Sequence, residues 1–317
     1  MLRLLQVCNV GNIVGGTAAC AWSVVRALPD WEHVVCFRSQ PTLETLSEFR
    51  ACKGVKQLVC HPRMSRREII SLQPDVVLLH NIGPGIVDLP ADIGAVQFVH
   101  SRITPAVVDV EVNCSQWLSR ERGQSIEQVC WQGVPRVAGE RVKRVSDRLV
   151  VGRICTPTEK KWPAELIPFY EELASGAPHV DWEFVGCPEK LRPSLKRACQ
   201  GRVQFHAANW QAREHLRKWD VLLYHHPTLT ESFGRVVAEA MRAGTIPVVD
   251  NKGGFIEQVH SQVGFLCGHV TEFACALKYL EDHDALQQAS VRASEWADSQ
   301  FSFGAFRARL LRLFSRL

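Results

Sequence analysis

The chain has 317 residues, 46% of them hydrophobic and 22% charged, which is the composition of a soluble globular protein long enough for two domains with a core each. A net charge of +4 permits anionic ligands and is too slight to call for nucleic acid as a partner. The twelve cysteines are scattered, with no Cys-x-x-Cys and no histidine cluster that completes a zinc pattern, so the sequence reads as a reduced, cytoplasmic protein without a disulfide frame or a metal centre. The N-terminus turns polar too soon for a signal peptide, and no apolar run approaches the ~20 residues of a membrane span.

Residues 2–9 read as a buried first strand, followed by the turn Gly11-Asn12-Ile13-Val14-Gly15-Gly16 and a helix over 18–28. A glycine-rich turn lets backbone amides approach a phosphate at a helix N-terminus. This one lacks the Gly-x-Gly-x-x-Gly dinucleotide fingerprint, which disfavours a nucleotide-dependent Rossmann oxidoreductase, and a merely tight turn explains it equally well. Strands over 33–37, 55–60, 76–80, 95–99 and 110–114 alternate with helices over 42–51, 66–72 and 116–124, the pattern of a doubly wound parallel sheet. His80 and His100 stand where strands end, on the edge where such sheets bind ligands, and a hydrogen-bonded structural histidine is the alternative for each. Arg63, Arg66 and Arg67 form a basic patch, read either as a solvated helix start or as a contact for anionic lipid. Residues 137–147 are polar and basic without a clear period and read as a linker between domains.

A second set of strands follows over 148–153, 180–186, 203–205, 220–224, 246–250 and 264–267. The intervening helices are placed at Pro163 to Leu173, with the proline near the first position, and over 191–200, 213–219, 270–280 and 284–300. The last helix, 303–317, is apolar on one face and carries Arg307, Arg309, Arg312 and Arg316. It reads as a packing helix with a basic solvated face, or as one that touches a membrane surface.

The strand over 220–224 leads into Thr230-Glu231-Ser232-Phe233-Gly234, then a helix with Glu239-Ala240-Met241, then Ala243-Gly244-Thr245-Ile246-Pro247-Val248-Val249 and Gly253-Gly254-Phe255-Ile256-Glu257. This run resembles the Glu-x7-Glu motif of retaining glycosyltransferases of the GT-B fold, family 4 in particular, in order and spacing. Weaker matches cover most of the chain: Gly15-Gly16 is similar to the first-strand glycine loop, and Val99-His100 to the strand end whose histidine faces the sugar. Likewise Cys130-Trp131-Gln132-Gly133-Val134 resembles the turn before the linker, Val151-Gly152-Arg153 the start of the second domain, and Phe184-Val185-Gly186 its next strand and loop.

The resemblance implies an α/β GT-B architecture: two Rossmann-like, doubly wound parallel-sheet domains facing a cleft. The acceptor-side domain would span 1–145 and the donor domain 146–300, with the helix over 301–317 crossing back to the first. It also implies a metal-independent, retaining transfer of a hexosyl-type sugar from a UDP-, GDP- or ADP-sugar to a hydroxyl acceptor that is a glycan, a lipid-linked carrier or a small molecule. No further cofactor is implied. A non-catalytic GT-B-like binding subunit is the alternative. Arg153 and a lysine would hold the donor diphosphate, helped by the amides of Ser232, Phe233 and Gly234 and by the turns at Gly15, Gly16 and Gly186. Glu231 would bond a donor-sugar hydroxyl, Glu239 the ribose, and His100 the sugar. Lys160 and Lys161 stand farther from Arg153 than the family's lysine does, and Trp162 replaces the glycine that follows it. Both lysines therefore remain candidates, with the helix phase at Leu173 favouring Lys161.

Overall fold

The computed structural model describes residues 1–139, 141 and 148–317, so most of the stretch read as a linker lies outside the described residues. The chain divides into two compact units, Met1–Pro135 with Gln300–Leu317, and Arg136–Ser299.

The first unit runs β1 (Arg3–Cys8), α1 (Gly16–Ala27), β2 (Glu32–Phe37), α2 (Leu43–Arg50), β3 (Val55–Cys60), α3 (Arg66–Leu72), β4 (Val76–His80), β5 (Gly94–Val99), β6 (Val110–Asn113) and α4 (Gln116–Glu121). Its six strands pair in parallel in the order β3-β2-β1-β4-β5-β6. Continuous apolar runs such as Val76-Val77-Leu78-Leu79 suit strands covered on both faces. The order reverses direction between β1 and β4, and side chains at the carboxyl ends of those strands therefore line a natural crevice. Thr42, Ser65 and Ser115 cap α2, α3 and α4 by accepting from a backbone N–H three residues on, which ends the preceding loops where the sequence placed them.

The second unit runs β7 (Leu149–Ile154), α5 (Leu166–Gly176), β8 (Val180–Val185), α6 (Arg192–Ala198), β9 (Val203–His206), β10 (Val221–Tyr224), α7 (Arg235–Arg242), β11 (Ile246–Asp250), β12 (Phe265–Cys267), α8 (Val270–Tyr279) and α9 (His283–Phe301). Its sheet is again six-stranded and parallel, in the order β12-β11-β10-β7-β8-β9, with the reversal between β7 and β10. Trp162, Tyr170, Trp182 and Phe184 fill one side of it. Two local expectations shift. The helix expected from Pro163 starts at Leu166, and Pro168 sits in its first turn, where no intrahelical N–H is required. The helix expected over 213–219 is a 3-10 segment, Trp210–Arg217, in which only Trp210, Ala212 and Leu216 are buried.

The chain ends in α10 (Phe303–Phe314), which belongs to the first unit. Phe306, Leu310 and Leu313 are buried; the Phe314 ring lies 5.4 Å from Trp31 and the Phe306 ring 6.4 Å from Phe98. The basic face is divided. Arg307 Nη2 donates to Asp30 Oδ2 at 2.9 Å and Arg309 Nε to the Trp131 carbonyl at 3.0 Å, so only Arg312 and Arg316 are left exposed. Among the described residues no helix is long and apolar enough to cross a membrane.

Candidate functional site

The carboxyl ends of β7 and β10 flank the reversal of the second sheet, and the motif residues gather there. Arg153, near the end of β7, is completely buried. Its guanidinium lies 4.9 Å from the Trp162 ring centroid and 4.7 Å from that of Tyr224. Nη1 donates to the His225 carbonyl at 2.6 Å and Nη2 to the Lys161 carbonyl at 3.0 Å. Among the described residues no carboxylate pairs with it. A planar, permanently charged group thus ties together the loops after β7 and β10. In this arrangement its fork is taken by carbonyls and is not presented to a ligand.

The loop after β7 is pinned by Trp162, whose ring is buried beside Phe184. The two lysines before it differ in direction. Lys160 is exposed and contributes its carbonyl, whereas Lys161 turns inward and its Nζ bonds Glu231 Oε1. Tyr224 Oη donates to the same carboxylate oxygen. Glu231, Lys161 and Tyr224 therefore form one cluster above the buried Arg153, with the lysine and glutamate side chains 25% and 20% exposed and able to meet a ligand.

The Ser232-Phe233-Gly234 loop that follows is shaped by close packing. Gly234 precedes α7 at φ 81°, and a Cβ there would meet Phe255 Cε1 at 2.3 Å, so only glycine fits. Gly254 N–H donates to the Glu231 carbonyl at 2.9 Å, and the buried Gln258 donates its amide to the Phe233 carbonyl. Glu239, one turn into α7, is mostly buried with Oε1 3.4 Å from Arg235 Nη2. Gly186 follows β8 at φ 81°, where a Cβ would meet the Cys155 carbonyl at 2.0 Å, and its N–H donates to the His206 carbonyl.

Sequence reasoning missed the histidine pair that orders the loop after β10. His226 Nδ1 accepts from the N–H groups of Thr228 and Leu229 at 3.2 and 2.8 Å, so Nε2 carries the proton and donates to the Lys160 carbonyl at 2.8 Å. Burial pushes its pKa down, and protonation would cost those two loop bonds. His225 Nδ1 lies 2.6 Å from Asp250 Oδ1, while Asp250 Oδ2 accepts from the His226 N–H at 2.8 Å. Tyr224 was in view as the last residue of a strand at the reversal. Gln258 and Trp162 carry no local signal, because their part depends on the loops that happen to face them.

In the first unit, His100 follows β5, and Gly15 and Gly16 open α1 after β1, all on the carboxyl edge of that sheet. No side chain caps α1. His100 Nε2 lies 3.0 Å from Nδ1 of the buried His80, whose Nε2 lies 3.0 Å from Gln6 Oε1. With that oxygen accepting, His80 donates from Nε2 and accepts from His100. Burial pushes the His80 pKa down to about 3. The unfolded chain protonates this residue near its ordinary value of about 6.5, so below that pH the unfolded state binds the extra proton and stability falls as pH drops, levelling below about 3. Denaturant titrations should show His80 alone removing about 2 kcal/mol between pH 7 and pH 5. A His80→Asn variant should lack that increment, and an identical pH dependence of variant and wild type would contradict the assignment.

Comparisons with known proteins bear on the fold. Residues 147–283 match the family model described as Glycosyl transferases group 1. Among curated proteins none matches the chain. Among solved structures, the chain is similar over its whole length and theirs to Anabaena HepE in complex with UDP-glucose, at 18% identity and a TM-score of 0.72. A glycosyltransferase from Rickettsia africae matches with a TM-score of 0.73 at 12% identity, covering 99% of this chain and 98% of that one. Sucrose-phosphate synthase from Thermosynechococcus elongatus matches with a TM-score of 0.67 at 13% identity, covering 100% and 99%. At these identities the likeness shows the fold: the two parallel sheets are those of the GT-B architecture.

Proposed function

We propose that the protein is a retaining, family 4 glycosyltransferase that moves a hexosyl-type sugar from a nucleotide-sugar donor to a hydroxyl acceptor. The observation that carries this reading is the convergence of Lys161, Glu231 and Tyr224 over a buried, carboxylate-free Arg153 at the reversal of the second sheet. A buried cation without a carboxylate partner favours an anion nearby. The group 1 domain match and the UDP and UDP-glucose found in HepE are consistent with a nucleoside diphosphate as that anion.

In this reading the sugar–phosphate bond breaks as negative charge grows on the diphosphate. Lys161 leaves Glu231 for the phosphate oxygens, a small movement for a half-buried side chain, and Glu231 is released to bond a sugar hydroxyl. The amides of Ser232, Phe233 and Gly234 add dipoles at the start of α7. Arg153 contributes its field and the fixed geometry of both loops rather than a direct fork. Two cations at this point supply the charge that a divalent metal supplies in other transferases, so no metal or further cofactor is called for. Glu239 holds the ribose, and the leaving phosphate takes the acceptor proton. Exposed arginines on α3 and α10 are available for a peripheral membrane contact.

Glu239→Ala should stay folded, because its one described side-chain partner is Arg235 on the same helix, yet lose most donor affinity in titration calorimetry against UDP-, GDP- and ADP-sugars. Unchanged affinity for the donor that the wild type binds would remove Glu239 from the site.

A further inference from the structure

Outside the cluster just described, two sets of metal-ligating side chains converge among the described residues, and one of them lies in the second unit. Glu183 on β8, His206 at the end of the edge strand β9 and His215 in the Trp210–Arg217 segment bring one ligand atom each within 4.8 Å of one another. Glu183 Oε2 lies 3.0 Å from His215 Nδ1 and 3.2 Å from His206 Nε2. Ligand atoms about 2.0–2.1 Å from a tetrahedral zinc ion stand about 3.3 Å apart, so the two carboxylate–imidazole separations approach the edges of such a polyhedron.

Two further features distinguish this set from an ordinary carboxylate–histidine contact. His206 Nε2 is buried and, although only 3.2 Å from the carboxylate oxygen, makes no hydrogen bond in the geometry it adopts. A metal ion would give that nitrogen a partner. Trp219 Nε1 donates to Glu183 Oε2 at 2.9 Å, the outer hydrogen bond that orients a ligating carboxylate. The three side chains are 16%, 28% and 19% exposed, so the set lies close to the surface. By contrast, the other convergent set, Cys20, His80 and His100, has its two histidines bonded to each other, and His80 is fully enclosed.

We propose that Glu183, His206 and His215 form a divalent transition-metal site, zinc in the first instance, that clamps β8, β9 and the 3-10 segment together. The ion cross-links an edge strand to a segment with no continuous helical core, and the backbone of its ligand His206 accepts from the Gly186 N–H. The inference is independent of sugar transfer. The ligands come from three separate elements, which is why no spacing in the sequence announced them.

The test strips the full-length protein with a chelator, dialyses it against Zn²⁺ or Co²⁺, and measures bound metal and the visible Co²⁺ spectrum. The wild type should retain one equivalent of zinc that His206→Asn and His215→Asn each lose, and Co²⁺ should give tetrahedral absorption in the wild type only. Zn²⁺ should raise the melting temperature of the wild type and not of Glu183→Gln. Both histidines are part-exposed, and circular dichroism of the metal-free variants verifies folding. Should a variant fail to fold, Trp219→Phe should keep the site but weaken zinc about tenfold to a hundredfold. Equal zinc content in the wild type and the folded histidine variants, or no retained zinc in the wild type, would overturn the proposal and leave a hydrogen-bonded carboxylate.

Discussion

Arg153→Met should destabilise the second unit by about 3–5 kcal/mol in urea or thermal unfolding and abolish transfer with it. The substitution leaves the carbonyls of His225 and Lys161 without their donors and replaces a plane sandwiched by Trp162 and Tyr224 with a flexible chain. Arg153→Lys should rescue little. An ammonium has no planar fork to reach two carbonyls while lying between two ring faces. A stable variant that only loses donor affinity would show instead that the guanidinium swings out to bind phosphate.

Lys161→Met should leave the fold intact and slow transfer by about 10²–10³-fold, the loss expected when one fixed positive group is removed from a developing anion. Stability is preserved because Trp162, not Lys161, anchors the loop. The neighbouring Lys160→Met should change the rate only a few-fold, since that side chain is exposed and its carbonyl alone bonds His226. Steady-state kinetics on the two variants separates them. Comparable losses in both would mean that the loop rearranges when the donor binds and that the inward turn of Lys161 decides nothing.

Most of the fold was legible because parallel strands covered on both faces write themselves as apolar runs, and serine or threonine caps mark where helices start. The departures have physical causes. Pro168 was no obstacle to α5 because first-turn amides have no partner to lose, and the Trp210–Arg217 segment buries only Trp210, Ala212 and Leu216, a small apolar area to hold a longer α-helix. The site was half legible. The Glu231 motif announced the reversal of the second sheet, and the helix phase favoured the lysine that the structure turns inward. What the sequence could not state was which side chains face one another. That Arg153 lies between Trp162 and Tyr224 shows only once the loops are in place. Glu183, His206 and His215 look like unrelated polar residues until β8 and β9 pair and the next segment folds over them. The arginines of α10 look alike in sequence, yet Arg307 and Arg309 are engaged within the first unit while Arg312 and Arg316 stay in solvent.

The central claim is that Lys161 and its neighbours serve the breaking sugar–phosphate bond of a nucleotide-sugar. It is tested most directly by incubating wild type, Lys161→Met and Glu239→Ala with UDP-, GDP- and ADP-sugars and following release of the free nucleoside diphosphate. The account predicts release from one of these donors by the wild type, at a rate cut at least about a hundredfold in Lys161→Met and near background in Glu239→Ala. Release at the same rate by all three proteins, or wild-type protein that neither binds nor cleaves any donor of the panel, would contradict it.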